Sequence, residues 1–110
     1  MATLSYDDVT EHIRFSSEKM QKVNLFDTSL CLVDLYCARP GQGQKPHVHA
    51  GEDKAFYVLR GRGSFLIGDE TIELTSGGAA IAPAGLEHGL TNTGSDDLVV
   101  LVVIAPPIPH

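Results

Sequence analysis

Short apolar stretches separated by turn-forming residues constrain the fold of this chain more than any other feature of its sequence. Gly, Pro, Asn or Asp interrupts them about every 8 to 12 residues, and no long stretch repeats with the period of a helix. This spacing predicts an all-β chain, with a helical turn only within residues 16–22. The predicted strands cover residues 22–26, 30–38, 47–49, 55–59, 63–67, 71–74, 79–82, 89–92 and 98–104.

Two turn signals set the orientation of neighbouring strands. The Gly-Asp-Glu segment at residues 68–70 predicts a hairpin, and in its second strand Ile72 and Leu74 are expected to face inward and Thr71 and Glu73 outward. Three prolines in residues 106–110 remove three backbone donors, so we expect this tail to end the sheet.

Charge and composition exclude several classes of partner. The net charge is −6 and only eight Lys and Arg are present, whereas a nucleic-acid site needs a clustered basic surface. The N-terminal segment has no apolar run typical of a signal peptide, and the longest late run, residues 98–105, is too short to span a bilayer. We therefore expect a cytoplasmic protein with neither a nucleic-acid nor a membrane partner.

The two cysteines are expected to be reduced. Cys31 and Cys37 lie six residues apart in one predicted strand, which places them about 20 Å from each other on the same face. No intrachain disulfide closes that distance, so both are predicted to be small buried apolar residues in a reducing compartment.

Histidines provide the clearest candidates for chemistry. His47 and His49 flank Val48, and residues two apart in a strand share a face, with about 6 to 7 Å between their Cα atoms. A pair of this kind is weak evidence for a metal by itself. His88 follows a turn containing Pro83 and Gly85, and a lone histidine there is more often structural.

The spacing around these histidines resembles that of a known family. The pattern G-x5-H-x-H at residues 41–49, followed by Y-V-L-x-G at residues 57–61, is similar to the first motif of the cupins. The pattern G-x5-P-x-G-x2-H-x3-N at residues 77–92 resembles their second motif at every defining position. The resemblance spans about residues 40–92, roughly half of the chain.

The resemblance implies a fold and a site. The fold is a double-stranded β-helix, or jelly-roll barrel, of two packed antiparallel sheets. His47, His49 and His88 would point into the barrel mouth around a divalent transition metal, either Zn, Fe, Ni, Mn or Cu. The chain would be a single cupin domain over residues 1–110, with N-terminal strands or an arm at 1–29, the barrel at 30–105 and a proline-rich tail at 106–110.

The sequence departs from the family at the fourth ligand, which is usually a glutamate. Counting back from Gly61 places Lys54 there, and an ammonium has no lone pair for a metal. Three arrangements stay open. Asp53 or Glu52 completes the shell, the three histidines act with open positions for water or substrate in an arrangement similar to that of some cupin oxygenases, or the site is weakened or empty.

Strand alternation bears on the role of Lys54. It shares a strand face with Phe56 and Val58, and if that face lines the barrel, the ammonium enters the cavity. It would then orient an anionic substrate or act as an acid or base, which makes Lys54 the candidate catalytic residue. The alternative is that it extends to solvent and pairs with Glu52 or Asp53.

Three other polar residues receive structural interpretations. Glu87 adjoins an inward-facing histidine and is expected to point outward. Asn92 is expected to brace the turn of the second motif, and Tyr57 to pack rather than to catalyse.

The predicted function is that of a metal-dependent enzyme acting on a small oxygenated organic molecule by oxygenase, isomerase or lyase chemistry. This follows from the resemblance, and a fold by itself does not determine a reaction. The alternatives are a noncatalytic ligand-binding or sensor module and a docking barrel with vestigial histidines. The resemblance also implies homodimerisation, for which the segment before Leu30 offers strands that could pair with a second barrel and cover an exposed sheet edge.

Overall fold

Residues 8–107 of the chain, as described by a computed structural model, are almost entirely β. A 3-10 helix, Val9–His12, precedes nine strands. These are β1 (Gln21–Asp27), β2 (Leu32–Ala38), β3 (Gly43–Val48), β4 (Asp53–Arg60), β5 (Arg62–Ile67), β6 (Glu70–Thr75), β7 (Ala79–Ala82), β8 (Glu87–Thr91) and β9 (Leu98–Ala105). No helix in this part of the chain has the length and apolar character needed to cross a membrane.

Each predicted strand corresponds to an observed one; most bounds agree within two residues, and the largest difference is at β3. The strand predicted at 47–49 runs over Gly43–Val48, so His49 follows it; β2 begins at Leu32 rather than at residue 30, and β8 begins at Glu87. The helical turn predicted within 16–22 is wrong, because residues 17–19 form a bend and β1 starts at Gln21. The helical turn lies earlier, where the Asp8 carboxylate accepts a hydrogen bond from the backbone N–H of Thr10 and begins the 3-10 helix.

The nine strands form two antiparallel sheets. One sheet has the order β1-β2-β9-β4-β7 and the other β3-β8-β5-β6. The predicted hairpin is present, with Ile67 paired to Glu70 across Gly68 and Asp69. This arrangement confirms the all-β, double-stranded β-helix barrel of two packed antiparallel sheets.

The main core lies between the two sheets and follows the two-residue period of the strands. In β4 the buried residues are Lys54, Phe56 and Val58, and in β6 Ile72 and Leu74 are less exposed than their neighbours, as predicted. The Phe56 and Phe65 rings meet from opposite sheets with centroids 5.4 Å apart. One apolar layer therefore joins the sheets, and Lys54 lies at its margin.

A second apolar cluster covers the outer face of the five-stranded sheet. Val23, Leu35, Cys37 and Val99 are buried there beneath the segment that includes Val9, Ile13 and Phe15. Burial raises the pKa of the Cys37 thiol. Both cysteines are free, which confirms the absence of a disulfide, but Cys31 lies outside β2 and is only partly buried.

The N-terminal strand completes a sheet within its own chain. β1 pairs with β2 and occupies the edge of the five-stranded sheet. Its pairing with a second barrel, on which the expected homodimer depended, stays a prediction.

Replacing Leu98 by alanine tests the core between the sheets. Leu98 is fully buried, so Leu98→Ala is expected to lower the free energy of unfolding by about 2–5 kcal/mol in urea denaturation. The matched control is Leu30→Ala, at a position 77% exposed, which should stay within about 0.5 kcal/mol of the wild type. Equal effects of the two substitutions would contradict this packing.

Candidate metal centre

Three histidines meet where β3 and β8 pair. His47 on β3 lies directly opposite His88 on β8, and His49 follows the end of β3. The candidate ligand atoms of the three rings all lie within 4.8 Å of one another. The sequence prediction that these three side chains converge is confirmed.

A bulge in β3 shapes this meeting point. Gln44 pairs with Leu90 and His47 with His88, so β3 has one residue more than β8 between these pairs. Pro46 lies in the bulge, where the missing amide hydrogen costs no ladder bond. A Cβ at Gly89 would approach the carbonyl oxygen of Gln44 to 2.9 Å, so the absence of a side chain at residue 89 lets the bulged strand lie close to β8.

The loop before β8 is tied to the end of β3. Gly85 has a φ of 88°, which a residue with a side chain rarely adopts, and its N–H donates to the carbonyl oxygen of His49 at 2.9 Å. Asn92 braces the other end of β8, because its amide nitrogen donates to the carbonyl oxygens of Ala38 and Asp96 at 2.9 Å each. Asn92 is therefore structural, as expected, but it braces the connection from β8 to β9 rather than the turn at Pro83 and Gly85. Glu87 is exposed, as expected.

Backbone carbonyls set the tautomers of two histidines. Nδ1 of His47 lies 2.9 Å from the carbonyl oxygen of Lys45, and Nδ1 of His88 lies 3.1 Å from that of Leu86. A carbonyl only accepts, so each Nδ1 carries the hydrogen and each Nε2 keeps a lone pair. Nδ1 of His49 faces the Glu52 carboxylate at 3.8 Å. Metal-binding histidines typically have partners of this kind on the second ring nitrogen.

The environment of Nε2 of His88 is suited to a metal ligand. This atom is buried and has no hydrogen-bond partner within residues 8–107. A buried polar atom without a partner costs about 1–3 kcal/mol, and a divalent cation accepting its lone pair would remove that cost. The residues present therefore fit a metal ion.

Two of the imidazoles, those of His49 and His88, are held in the neutral form that coordination requires. Burial lowers the pKa of His88 to about 4, against the opposing effect of the hydrogen bond to Leu86 and with smaller decreases from the charges of Lys54, His47 and His49. Burial also lowers the pKa of His49, helped by His47 and Lys54 and opposed by Glu52. Neither ring needs to lose a proton to bind a metal near neutral pH.

The Lys54 side chain enters the barrel, as the first of the two sequence interpretations predicted. Its side chain is 1% exposed, and Nζ donates to Oε1 of Gln44 at 3.0 Å. The alternative, in which it extends to solvent and pairs with Glu52 or Asp53, is wrong. Burial lowers the pKa of Lys54 to about 7, with a further decrease from Lys22 and an opposing effect of Asp34.

Within residues 8–107, no carboxylate joins the three histidine nitrogens that converge. Asp53 points to the other face of β4, where its Oδ1 accepts from the backbone N–H of Ala84 at 2.8 Å. Glu52 lies beside His49 on the Nδ1 side. Both candidate fourth ligands thus have other contacts, and the group consists of three histidines.

A cavity of about 460 Å³ opens next to the histidines. Its lining includes His47, His49 and Lys54, together with residues that the sequence analysis missed: Lys22, Asp34, Tyr36 and Gln44. A signal for one of them was available, since Asp34 interrupts the otherwise apolar sequence of β2. Tyr36 is buried, and desolvation and the Asp34 charge raise its pKa above the ordinary value.

Comparison with known proteins agrees with this geometry. The family model of the cupin domain matches residues 34–104, more than half of the chain. The chain belongs to the cupin family. This cupin is 31% identical over 96 residues to an uncharacterized protein of Streptomyces coelicolor, which covers 87% of this chain and 80% of the relative.

Solved structures support the same assignment. A protein of Thermus thermophilus is 42% identical to this cupin with a TM-score of 0.91, covering 94% of this chain and 98% of the other. A conserved protein of Klebsiella pneumoniae with a double-stranded β-helix domain is 28% identical with a TM-score of 0.86, over 94% and 90% of the two chains.

Replacing Lys54 by methionine should stabilise the metal-free protein. The folded-state pKa of about 7 lies below the ordinary lysine value of 10.5, so the unfolded chain binds more protons between these values. The contribution of Lys54 to stability therefore rises with pH across this window and is least favourable below pH 7. Lys54→Met is expected to raise the free energy of unfolding by about 2–4 kcal/mol near pH 6.5, and by much less near pH 9.5.

Urea denaturation of the variant and the wild type at the two pH values measures this difference, and the titration of groups remote from Lys54 cancels in the comparison. The control is Lys45→Met, which removes an exposed ammonium from the same cavity wall. A stability difference for Lys54→Met that does not change with pH would show that its ammonium is not buried at a cost.

Proposed function

We propose that this cupin binds a divalent transition metal through Nε2 of His47, His49 and His88 and acts as an enzyme on a small oxygenated organic molecule. The observation that carries the proposal is the buried, unpartnered Nε2 of His88 beside two further imidazoles. A purely structural histidine would be expected to satisfy both ring nitrogens.

Contacts around the rings support a metal over simple packing. Two Nδ1 atoms donate to backbone carbonyls and the third faces a carboxylate, so the side of each ring away from the cluster is already occupied. Zn, Fe, Ni, Mn and Cu all accept imidazole ligands, and which of them is bound depends on geometry and supply.

The neighbouring cavity gives a ligand access to the cluster. Its volume of about 460 Å³ lies within the range of about 300–1,000 Å³ typical of small-molecule sites. A bound ion would supply Lewis-acid chemistry toward an oxygen atom of the ligand, or redox chemistry in the case of Fe, Mn, Ni or Cu. Three protein ligands leave coordination positions for water or a ligand. Lys54 would bind or orient the ligand and hold a proton at Nζ.

A noncatalytic ligand-binding or sensor function is the second candidate. It is favoured by the buried Lys54 ammonium, which stands where the cupin motif usually has a glutamate ligand and weakens the local attraction for a cation. The two functions share the cavity and differ in turnover and in the strength of the metal site.

Metal analysis of the untagged full chain tests the centre directly. We expect about one transition-metal ion per chain in the wild type, and at least a tenfold loss of content in His47→Ala and His88→Ala, because each removes one of three ligands. His12→Ala is the matched control, since His12 lies in the 3-10 helix outside the group. Its metal content should equal that of the wild type.

The Lys54→Glu variant separates a working site from a vestigial one. Loading that occurs only with glutamate at residue 54 would contradict metal binding by the three histidines alone.

Turnover distinguishes the two candidate functions. The wild type and the His88→Ala variant are treated with the same metal and incubated with small hydroxy and keto acids. The mixtures are followed by proton NMR. Conversion by the wild type alone supports the enzyme, whereas ligand line broadening without conversion supports the binding module.

A further inference from the structure

Lysines are concentrated around one cavity of this acidic protein. The four lysines of the chain are Lys19, Lys22, Lys45 and Lys54, and the last three line the cavity beside the histidines. Lys19 lines an adjoining hollow that also includes Lys22 and Lys45. Since the whole chain has a net charge of −6, this local excess of cations favours an anionic ligand.

Few negative charges balance these cations. Of the cavity-lining residues within 8–107, Asp34 is the only one with an acidic side chain, and its Oδ1 accepts a hydrogen bond from the amide nitrogen of Asn24 at 3.0 Å. Asp34 is almost fully buried. Three ammonium groups therefore face one carboxylate that already has a partner.

Lys54 has the strongest unmet requirement for an anion. Its buried ammonium donates to the neutral amide of Gln44 and lies 4.9 Å from the Tyr36 ring centroid. Within residues 8–107 it forms no ion pair. An ammonium has three N–H donors, so further donor capacity is left at a position where an unpaired charge is costly.

A second ammonium stands at the same ring. Nζ of Lys22 lies 5.4 Å from the centroid of Tyr36, and Lys22 is exposed on the edge strand β1. Repulsion between Lys22 and Lys54 is part of the reason that the proton affinity of Lys54 is low. A ligand anion beside Tyr36 would be attracted by both ammonium groups and would offset their mutual repulsion.

We propose that the cavity binds a small organic carboxylate whose carboxylate group is held by the ammonium groups of Lys54 and Lys22 beside Tyr36. A second oxygen of the same molecule faces His47 and His49, and this part rests on the proposed function. The lining favours a carboxylate over a phosphate, because it consists of side chains without the glycine loop or helix N-terminus that phosphate sites use.

Calorimetric titration of the metal-stripped full chain tests the lysines independently of the metal. The probe is malonate, with malonamide as its neutral analogue and inorganic phosphate as the competing anion, in about 150 mM salt to screen long-range effects. Malonate should bind the wild type, malonamide should not, and phosphate should bind at least about tenfold more weakly.

Two substitutions and two controls locate the binding. Lys54→Met and Lys22→Met should each weaken malonate binding at least about tenfold, because each removes one partner of the carboxylate. Lys19→Met changes the net charge equally but lies outside the cavity lining, and should stay within about twofold. His12→Ala should also keep malonate binding, since His12 lies in the 3-10 helix and does not line the cavity.

The outcomes separate this proposal from the proposed function. Malonate that does not bind the wild type, binds equally well to either lysine variant, or binds no better than phosphate would overturn it. Failure of the metal assay together with lysine-dependent malonate binding would overturn the metal site and leave the carboxylate site standing.

Discussion

The pairing of β3 with β8 is the contact on which the centre depends. It sets His47 opposite His88, and the hydrogen bond from Gly85 to the carbonyl oxygen of His49 brings the third ring to the same place. These are backbone interactions, so the side chains that converge are not required to hold one another in position. A cluster positioned by the scaffold in this way does not need an ion to bring its rings together, which reduces the ordering cost of binding one.

The buried polar groups beside this cluster lower the stability of the fold. Lys54, Asp34 and His88 are all almost fully buried, and each would be more stable in water unless a partner compensated for the lost solvation. Phe56, Phe65 and the apolar residues of β9 provide the burial that offsets this cost. The barrel thus combines a stable apolar layer with a destabilising polar end, as expected where a site has been built into a small fold.

Strand alternation explains what could be predicted from the sequence. The period of two placed Lys54 with Phe56 and Val58 inside and Glu87 outside, and the spacing of the histidines was enough to indicate both motifs. The polar partners of Lys54 could not be found in this way. Gln44 and Tyr36 reach it from β3 and β2, and only strand register brings them together. The bulge in β3 shifts that register by one residue, which no local pattern revealed.

The position of the N-terminal helical turn was also predicted wrongly, because the path of this segment is set by packing on the outer sheet face rather than by helical propensity.

Pro46 and the bulge around it have a consequence for the behaviour of the protein in a crowded solution. β3 is the edge of the four-stranded sheet, where a free row of amide hydrogens would invite a strand from another molecule. Proline offers no such hydrogen, and a bulged strand presents an irregular ladder, so the edge is a poor template for intermolecular β-sheet growth. The irregularity that shapes the candidate metal centre is thus also expected to protect this side of the barrel from aggregation.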